Sequence, residues 1–359
     1  MNKIAIICQT DKLASFYLNI ANFMNYYKEY FIIDLFFEDK KETINLKEYS
    51  LLYCFKTDST AIINIIYSAK QLHIPVIYET DDNFLAYVEG QNNQFVKSMI
   101  QIDNIKNILT ISDIVLCYSI ESLKSFLIYN TNVAILPTYQ TLGLNIEHNG
   151  MSRERNDKKI IGFMGTKFKD LNFTFVIPAL HAIHNLYSNI YFEFIGFIPK
   201  IAHDLPNLIY TDVYMPYDNF ITLFHSKGWM VGLAPLADVE YNRSKTNNKY
   251  REYAAACYSC ICSNVEPYKS SVKADENALL SDNNVDDWVY SIEKLINSRE
   301  LRDKLCINAF NDIKNNYKIE RVAKIKLYIL KEIIKNHSIF QIKILTHKIN
   351  LLNNQFLLN

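Results

Sequence analysis

Short apolar runs alternate with longer amphipathic segments along most of the chain. The runs have the length of single β-strands, and the segments between them carry apolar residues at the spacing of α-helices. Strands that are apolar on both faces and separated by helices are typical of a parallel sheet covered on both sides. The pattern therefore predicts an α/β protein built on doubly wound parallel sheets. The predicted strands are 3–8, 30–37, 51–55, 75–78, 114–118, 133–136, 159–165, 190–195, 208–210, 230–234 and 260–262. The predicted helices are 15–26, 60–72, 96–108, 120–129, 173–187, 217–225, 247–256, 285–297 and 300–315.

The alternation is interrupted once, and the interruption suggests a boundary between two domains. Residues 141–158 are polar, contain glycines and show no apolar periodicity. A chain of 359 residues is long enough for two domains. We therefore predict a first domain at 1–140, a linker at 141–158, a second domain at 159–325, and a closing helix with a tail at 326–359.

Charge and cysteine content narrow the classes of function. Lys and Arg together number 38, as do Asp and Glu, so no net charge draws the protein toward nucleic acid or anionic lipid. An anionic ligand must therefore be held by a local site. The seven cysteines are an odd number in a long chain, which argues against a disulfide framework. We predict that Cys257, Cys260 and Cys262 are core residues, because no second pair of ligands has zinc-finger spacing.

The two ends of the chain bear on its localisation. The apolar run after Met1-Asn2-Lys3 is too short for the core of a signal peptide. No stretch approaches the ~20 apolar residues of a membrane span, so we expect a cytoplasmic protein. The apolar, lysine-bearing tail from about Tyr328 has two interpretations. It is a closing helix with a frayed end, or it makes an amphipathic contact with a membrane surface or a partner.

Polar residues directly after predicted strands are the first candidates for chemistry, because ligands of such sheets bind beyond the carboxyl ends of the strands. Asp81 and Asp82 follow the strand 75–78. Such a pair can serve as a general base for an acceptor hydroxyl, as a metal site, or as the cap of the next helix. We favour an acceptor-side role for Asp82.

A glycine-bearing turn follows the strand at 159–165. Gly165 and Thr166 stand at its end, where backbone N–H groups can approach a phosphate without a Cβ in the way. An ordinary structural turn is the alternative.

The strongest candidate site lies between two predicted strands of the second half. Ser244 or Thr246 can cap a helix that we predict to begin there, and N–H groups in a first helical turn bind anions. Lys245, Lys249 and Glu252 would then share one helical face. Two ammonium groups suit a diphosphate, and the glutamate can accept hydrogen bonds from two ribose hydroxyls. A solvated helix with incidental charges is the alternative.

These residues belong to a longer pattern that resembles a known family. The block Gly232–Ala256, with its Ser-Lys…Lys…Glu-Tyr sequence, resembles the carboxyl-terminal domain of GT-B glycosyltransferases, and more narrowly of family-4-like bacterial enzymes. In the first half, Val76–Asp82 resembles a strand end of the same group, with its tyrosine and paired aspartates. The resemblance covers residues 1–325 and is most specific in the Ser-Lys…Glu-Tyr block.

The resemblance implies two Rossmann-like domains that face a cleft. A nucleotide-sugar donor, usually a UDP or GDP sugar, would bind to the second domain, and a glycan, lipid-linked or protein acceptor to the first. The implied reaction is sugar transfer with retention of anomeric configuration, without a metal or another cofactor. Asp82 and Lys245 are the catalytic residues of this hypothesis. The donor would contact Gly165, Thr166, Ser244, Lys245, Thr246, Lys249 and Glu252.

The sequence departs from the family pattern at two places. Ser244 stands where many members carry the first of two glutamates, for which Asp238 or Glu240 are candidate substitutes. Cys257-Tyr258-Ser259 replaces a Gly-x-Pro corner, where a glycine would permit a positive φ. Two alternative functions therefore stay open: a catalytically silent binding subunit that partners another transferase, and a nucleotide-sugar epimerase.

Overall fold

The structure is a computed structural model, and most of the chain is described in it. The predicted linker falls almost entirely outside the described residues, as does Thr166. The described residues are 1–40, 42–89, 100–141, 159–165, 170–213, 215, 217–335 and 346–350.

The chain divides into two compact units, and each contains one six-stranded parallel sheet. The first unit comprises Met1–Thr138, Ser244–Thr246 and Glu320–Asn359. The second unit comprises Tyr139–Arg243 and Asn247–Ile319. The predicted α/β architecture with two doubly wound parallel sheets is confirmed.

The sheet of the first unit is buried on both faces at its centre. Its strands are β1 (Asn2–Cys8), β2 (Phe31–Phe37), β3 (Leu51–Phe55), β4 (Val76–Glu79), β5 (Ile114–Cys117) and β6 (Val133–Ile135). The strand order is β2-β1-β3-β4-β5-β6, and every residue of β3, β4 and β5 is buried. The order of strands along the chain reverses between β1 and β3. Ligands of such sheets bind beyond the carboxyl ends of the strands at this reversal.

Helices cover both faces of this sheet. They are α1 (Ala14–Asn19), α2 (Met24–Tyr27), α3 (Thr60–Gln71), α4 (Phe84–Glu89), α5 (Ile102–Ile111) and α6 (Ile120–Phe126). The predicted continuous helix 15–26 is wrong, because α1 ends at Asn19 and a 3₁₀ turn separates it from α2. The Asn19 side chain donates a hydrogen bond of 3.0 Å to the carbonyl of Ser15, and such local bonds compete with helix propagation.

The sheet of the second unit repeats this organisation. Its strands are β7 (Lys159–Met164), β8 (Ile190–Ile195), β9 (Leu208–Thr211), β10 (Val231–Ala234), β11 (Ser259–Ser263) and β12 (Leu279–Ser281). The strand order is β12-β11-β10-β7-β8-β9, so the reversal lies between β7 and β10. Strand β12 is not predicted from the sequence, because a three-residue edge strand is too short to show periodicity.

Helices of the second unit follow the predicted pattern closely. They are α7 (Val176–Leu186), α8 (Tyr217–His225), α9 (Glu240–Arg243), α10 (Asn248–Ala255), α11 (Tyr268–Ser271), α12 (Val285–Asn297) and α13 (Arg299–Asn316). Asn284 and Ser298 cap α12 and α13, since their side chains accept hydrogen bonds from backbone N–H groups three residues later.

Two glycines of this sheet permit close packing of aromatic rings. A Cβ at Gly162 would lie 2.1 Å from Cδ2 of Trp229, and one at Gly232 would lie 2.8 Å from the ring of Tyr253. Both rings are fully buried. The indole N–H of Trp229 donates a hydrogen bond of 2.6 Å to Glu193. Gly162 therefore makes room for a tryptophan inside the protein.

The corner after α10 forms without a glycine. Cys257 has a φ of 57°, the left-handed conformation in which the family pattern has glycine. Tyr258 N–H donates to the Tyr253 carbonyl at 2.9 Å, and Cys257 N–H donates to the Ala254 carbonyl at 3.1 Å. These two bonds make a Schellman motif, the common carboxyl-terminal cap of a helix. All seven cysteines are free and buried, so the prediction of core cysteines at 257–262 is confirmed.

The chain returns to the first unit near its carboxyl end. Helix α14 (Ile319–Lys335) buries its apolar face there. Its buried side chains are Val322, Ala323, Lys326, Ile329, Leu330 and Ile333. Residues 346–350 are also helical, and the Asn350 side chain binds the outer edge of β6 through the backbone of Val133 and Ile135. None of the helices in the described part of the chain has the length and apolar composition needed to cross a membrane.

Candidate functional site

Beyond the carboxyl end of β4, a tight turn holds the two predicted aspartates. The Thr80 hydroxyl donates to the carbonyl of Asp82 at 2.9 Å and accepts from the N–H of Asp82 at 3.3 Å. Asn83, rather than either aspartate, caps α4, because its Oδ1 accepts a hydrogen bond from the N–H of Ala86. The capping interpretation of the aspartates is therefore wrong. The Oδ2 atom of Asp81 accepts a hydrogen bond of 3.3 Å from the side-chain amide of Asn19.

Lys56 joins the two carboxylates. It follows β3, and its ammonium lies 2.9 Å from Oδ1 of Asp81 and 2.5 Å from Oδ2 of Asp82. Burial alone lowers the pKa of Lys56, but the two aspartates more than compensate, and the pKa is raised above its ordinary value. Burial also raises the pKa of Asp81, and the ammonium of Lys56 opposes that shift.

The geometry disfavours the metal interpretation of the aspartate pair. The Lys56 ammonium occupies the position between the carboxylates where a cation would bind. In the described part of the chain, no group of three or more His, Cys, Asp and Glu side chains is placed to hold a metal ion. The expectation that no metal is required stays a prediction.

The segment Ser244–Thr246 belongs to the first unit, where Lys245 meets Asp82. The Lys245 ammonium lies 3.8 Å from Oδ1 of Asp82. About a quarter of each of these two side chains is exposed. Burial lowers the pKa of Lys245, while the carboxylate of Asp82 raises it, and the net shift is downward. Thr246 is half-buried beside Lys245.

Ser244 fixes this segment through hydrogen bonds at both its side chain and its backbone. Its hydroxyl accepts a bond of 3.2 Å from the amide of Asn83. Its carbonyl accepts bonds from the hydroxyls of Ser119, at 2.7 Å, and Ser122, at 3.4 Å. Ser119 is also the cap of α6. These bonds hold Lys245 over the end of β4.

The predicted single helical face for Lys245, Lys249 and Glu252 is wrong. Helix α10 begins at Asn248, and neither Ser244 nor Thr246 caps it. Lys245 precedes the helix because Ser244 is bonded to other elements. Lys249 and Glu252 do lie on α10, three residues apart and half-buried. The Lys249 ammonium lies 5.0 Å from the centroid of the Phe163 ring, at the carboxyl end of β7.

Gly165 follows β7 directly and contacts the end of β8. Its N–H donates a hydrogen bond of 3.0 Å to the carbonyl of Ile195. Gly196 has a φ of 76°, and a Cβ on it would lie 2.8 Å from the carbonyl oxygen of Gly165. Gly196 thus lets the ends of neighbouring strands approach each other. Together with Lys249 and Glu252, Gly165 lies in the second unit.

Arg251 is a residue of this region that the sequence analysis missed. Its side chain is buried, and it donates hydrogen bonds to the carbonyl of Tyr139 and to the side chains of Asn247 and Asn248. The guanidinium also lies 5.7 Å from the centroid of the Tyr317 ring. Arg251 therefore holds the first turn of α10, which carries Lys249. Burial lowers its pKa from the ordinary value.

Asp238 and Glu240, the two acids proposed as substitutes for a glutamate, have different surroundings. Asp238 pairs with Arg243 at 2.7 Å, and Glu240 is the first residue of α9. Lys56 and Asn83 are further residues that the sequence analysis missed. The signal that could have found Lys56 is its place directly after a buried strand, the rule that identified Asp81 and Asp82.

Known proteins resemble this chain in structure but not in sequence. No known protein family matches the sequence, and no curated protein matches it. Solved structures do match, over nearly the whole chain. Sucrose-phosphate synthase from Thermosynechococcus elongatus is 11% identical with a TM-score of 0.68, covering 93% of this chain and all of that one. The Anabaena protein HepE in complex with UDP-glucose is 10% identical with a TM-score of 0.68, covering 92% of this chain and all of that one.

The chain has the GT-B fold. A third similar structure is a putative UDP-N-acetylglucosamine 2-epimerase from Listeria monocytogenes, 11% identical with a TM-score of 0.55, covering 93% of this chain and 96% of that one. At such low identity, these similarities show the GT-B fold alone. Membership of family 4 stays a prediction.

Proposed function

We propose that this GT-B chain is a glycosyltransferase that moves a sugar from a nucleoside diphosphate to a hydroxyl of a glycan, lipid-linked or protein acceptor. One observation carries the proposal. Lys245, which the sequence pattern assigns to the donor diphosphate, lies 3.8 Å from Asp82, which it assigns to the acceptor. A transfer reaction requires its two substrates side by side, so the residues that bind them should meet. HepE, a similar structure, binds UDP-glucose, which supports the donor class.

The residues divide into donor and acceptor roles. Lys245 and Lys249 neutralise the charge that develops on the departing diphosphate. The sequence pattern also assigns phosphate contacts to Gly165, Ser244 and Thr246, and to Thr166, which lies outside the described residues. Glu252 accepts hydrogen bonds from the ribose hydroxyls.

Asp82 is the acceptor-side residue of this proposal. Its ionised carboxylate accepts a hydrogen bond from the attacking hydroxyl of the acceptor. The acceptor oxygen forms the new bond to the anomeric carbon as the bond to the phosphate oxygen breaks. In a reaction that retains configuration, the departing phosphate takes the proton of that hydroxyl. Retention and a UDP or GDP donor are parts of this proposal.

Calorimetry with UDP and with GDP tests the donor half. We expect the wild type to bind one of them, and Lys249→Met and Glu252→Gln each to weaken binding about ten-fold, the effect of losing one charged contact. Lys294→Met is a matched control, because Lys294 is another partly exposed lysine of the second unit, paired with Asp275 at 2.6 Å. Nucleotide binding that neither substitution weakens would refute the assignment of Lys249 and Glu252.

The same protein distinguishes the alternatives. Binding of neither nucleotide would favour the silent binding subunit. That alternative has lost its main support, because the corner at Cys257 forms a complete helix cap. Conversion of a UDP-sugar into an isomeric UDP-sugar without an acceptor would identify an epimerase, the activity named for one similar structure.

Three further expectations remain predictions from the sequence. We expect transfer to continue in excess EDTA, because basic side chains replace the metal ion. We also expect a cytoplasmic location, with a peripheral contact to the inner face of the membrane through the tail after α14. Flotation with anionic vesicles, comparing the full chain with one that ends at residue 335, measures that contact.

A further inference from the structure

Lys56 is held in an unusual backbone conformation at the carboxyl end of β3. Its φ is 57°, a left-handed value that costs most residues other than glycine about 1 kcal/mol or more. The N–H of Lys56 donates a hydrogen bond of 2.9 Å to the carbonyl of Glu79, the last residue of β4. This conformation directs the side chain toward the turn that follows β4.

The side chain of Lys56 is the most enclosed member of the charged cluster. Only 10% of it is exposed, compared with 24% for Asp81 and 22% for Asp82. Its ammonium contacts both carboxylates, and it lies 5.4 Å from the centroid of the Phe84 ring. Such enclosure removes the freedom that makes an exposed lysine a weak and mobile partner.

Two adjacent carboxylates need a nearby cation to stay ionised together. Like charges disfavour ionisation, and an opposite charge within about 4–6 Å favours it. Among the described residues, the charged and titratable groups that act on Asp82 include Asp81, Lys56, Lys245 and the phenol of Tyr87. Of the two lysines, Lys56 is much closer, at 2.5 Å compared with 3.8 Å.

We propose that Lys56 is a positioning residue for the acceptor carboxylate: it keeps Asp82 ionised and, by binding Oδ2, presents Oδ1 on the side of Lys245. An acceptor hydroxyl that bonds to Oδ1 then lies beside the ammonium group assigned to the donor phosphates. The role in catalysis rests on the proposed transferase function. The effect of Lys56 on the ionisation of Asp82 does not depend on that function.

Titration of Asp82 tests the inference directly. Carbon-13 labelling of the aspartate carboxyls allows the Asp82 signal to be assigned with the Asp82→Asn variant and followed with pH by NMR. Relative to the wild type, we expect the pKa of Asp82 to rise by about one unit or more in Lys56→Met and in Lys56→Gln. Lys56→Arg keeps the charge and should stay within about half a unit. Lys70→Met is the control, because it removes another Lys–Asp pair of the first unit, with Asp113 at 2.9 Å.

Activity supplies the second readout. The acid limb of kcat/KM for the acceptor should move to higher pH in Lys56→Met by the same amount as the Asp82 titration. Binding of the nucleotide that the wild type binds, UDP or GDP, should be unchanged. Activity is lost as the pH falls through the pKa of Asp82. The Lys56→Met variant should therefore be least active at acidic pH and regain activity at higher pH. An Asp82 titration that does not move in a folded Met or Gln variant overturns the inference. If the Asp82 titration shifts in the Lys56 variants but the wild-type protein transfers no sugar, the transferase function is rejected and the inference about Lys56 stands.

Discussion

The buried ion pair between α14 and β4 leads to a sharp prediction about stability. The Lys326 ammonium lies 2.9 Å from Oε1 of Glu79 and donates a hydrogen bond of 2.8 Å to the carbonyl of Asn19. The exposed fractions of the two side chains are 4% for Lys326 and 0% for Glu79. The phenols of Tyr53 and Tyr118 donate the remaining hydrogen bonds to the carboxylate.

The substitution Lys326→Met keeps an unbranched side chain that is one atom shorter, and removes the charge. The lost attraction is about 6 kcal/mol for unit charges at this distance in an effective dielectric of about 20. Part of it is recovered, because Lys326 no longer has to be desolvated. Burial does lower the pKa of Lys326, which shows that this cost is present. We therefore expect a loss of about 3–5 kcal/mol in the free energy of unfolding of the first unit, the range for breaking a buried pair on one side.

Denaturant unfolding followed by two probes measures this loss. Trp229 and Trp288 are the two tryptophans of the sequence, and both lie in the second unit. Tryptophan fluorescence thus reports the second unit, while far-ultraviolet circular dichroism reports both. We expect Lys326→Met to move the transition of the first unit to lower denaturant. Lys324→Met, an exposed position of the same helix, is the control and should change stability by less than about 0.5 kcal/mol.

A second substitution decides whether the charge of Glu79 is the cause. Removing both members of a buried pair is far less costly than removing one, so Lys326→Met with Glu79→Gln should recover most of the lost stability. A single-variant loss below about 1 kcal/mol would contradict the reasoning. So would a double variant that is no more stable than Lys326→Met.

Two further substitutions test contacts in each sheet. Gly162→Ala should destabilise the second unit by about 3 kcal/mol, because its Cβ would lie 2.1 Å from a buried Trp229 ring carbon, and the tryptophan-detected unfolding midpoint measures the loss. The double variant Gly162→Ala with Trp229→Leu should be more stable than Gly162→Ala alone, because the smaller side chain leaves room for the new Cβ. A double variant that is less stable would show that a clash with Trp229 does not cause the loss. Asn350→Ala should lower the free energy of unfolding of the first unit by about 1 kcal/mol. It should also speed amide hydrogen exchange at Ile135, whose N–H donates a hydrogen bond of 3.0 Å to the Asn350 side chain. Unchanged exchange at that amide would show that the bond does not protect the edge of the sheet.

Most of the strands and longer helices, and their order along the chain, could be predicted from local sequence patterns. The predicted bounds of Leu51–Phe55, Ile190–Ile195 and Val285–Asn297 agree with the structure. A strand covered on both faces must be apolar along its length, and a surface helix must repeat its apolar residues at helical spacing. Both requirements are local, so they can be read without knowing which elements pack together. The position of Asp81 and Asp82 after β4 follows from the same reasoning.

Predictions from residue spacing were wrong where contacts between residues distant in sequence decided the structure. The spacing of Lys245, Lys249 and Glu252 fits one helical face only if the helix includes Lys245. The helix begins at Asn248, because hydrogen bonds from Asn83 and two serines at the start of α6 hold Ser244 away from it. Spacing on a helix carries no information about where tertiary contacts end that helix.

The charged partners were decided by the tertiary structure alone. Lys56 binds carboxylates of the next strand end, and Lys326 reaches Glu79 from the far end of the chain. In the sequence each of these lysines looks like an ordinary surface residue. The energy of an ion pair depends on the distance between the charges and on their burial, and folding sets both quantities. The sequence therefore predicts which charged side chains lie at strand ends, while the fold determines which of these charges meet.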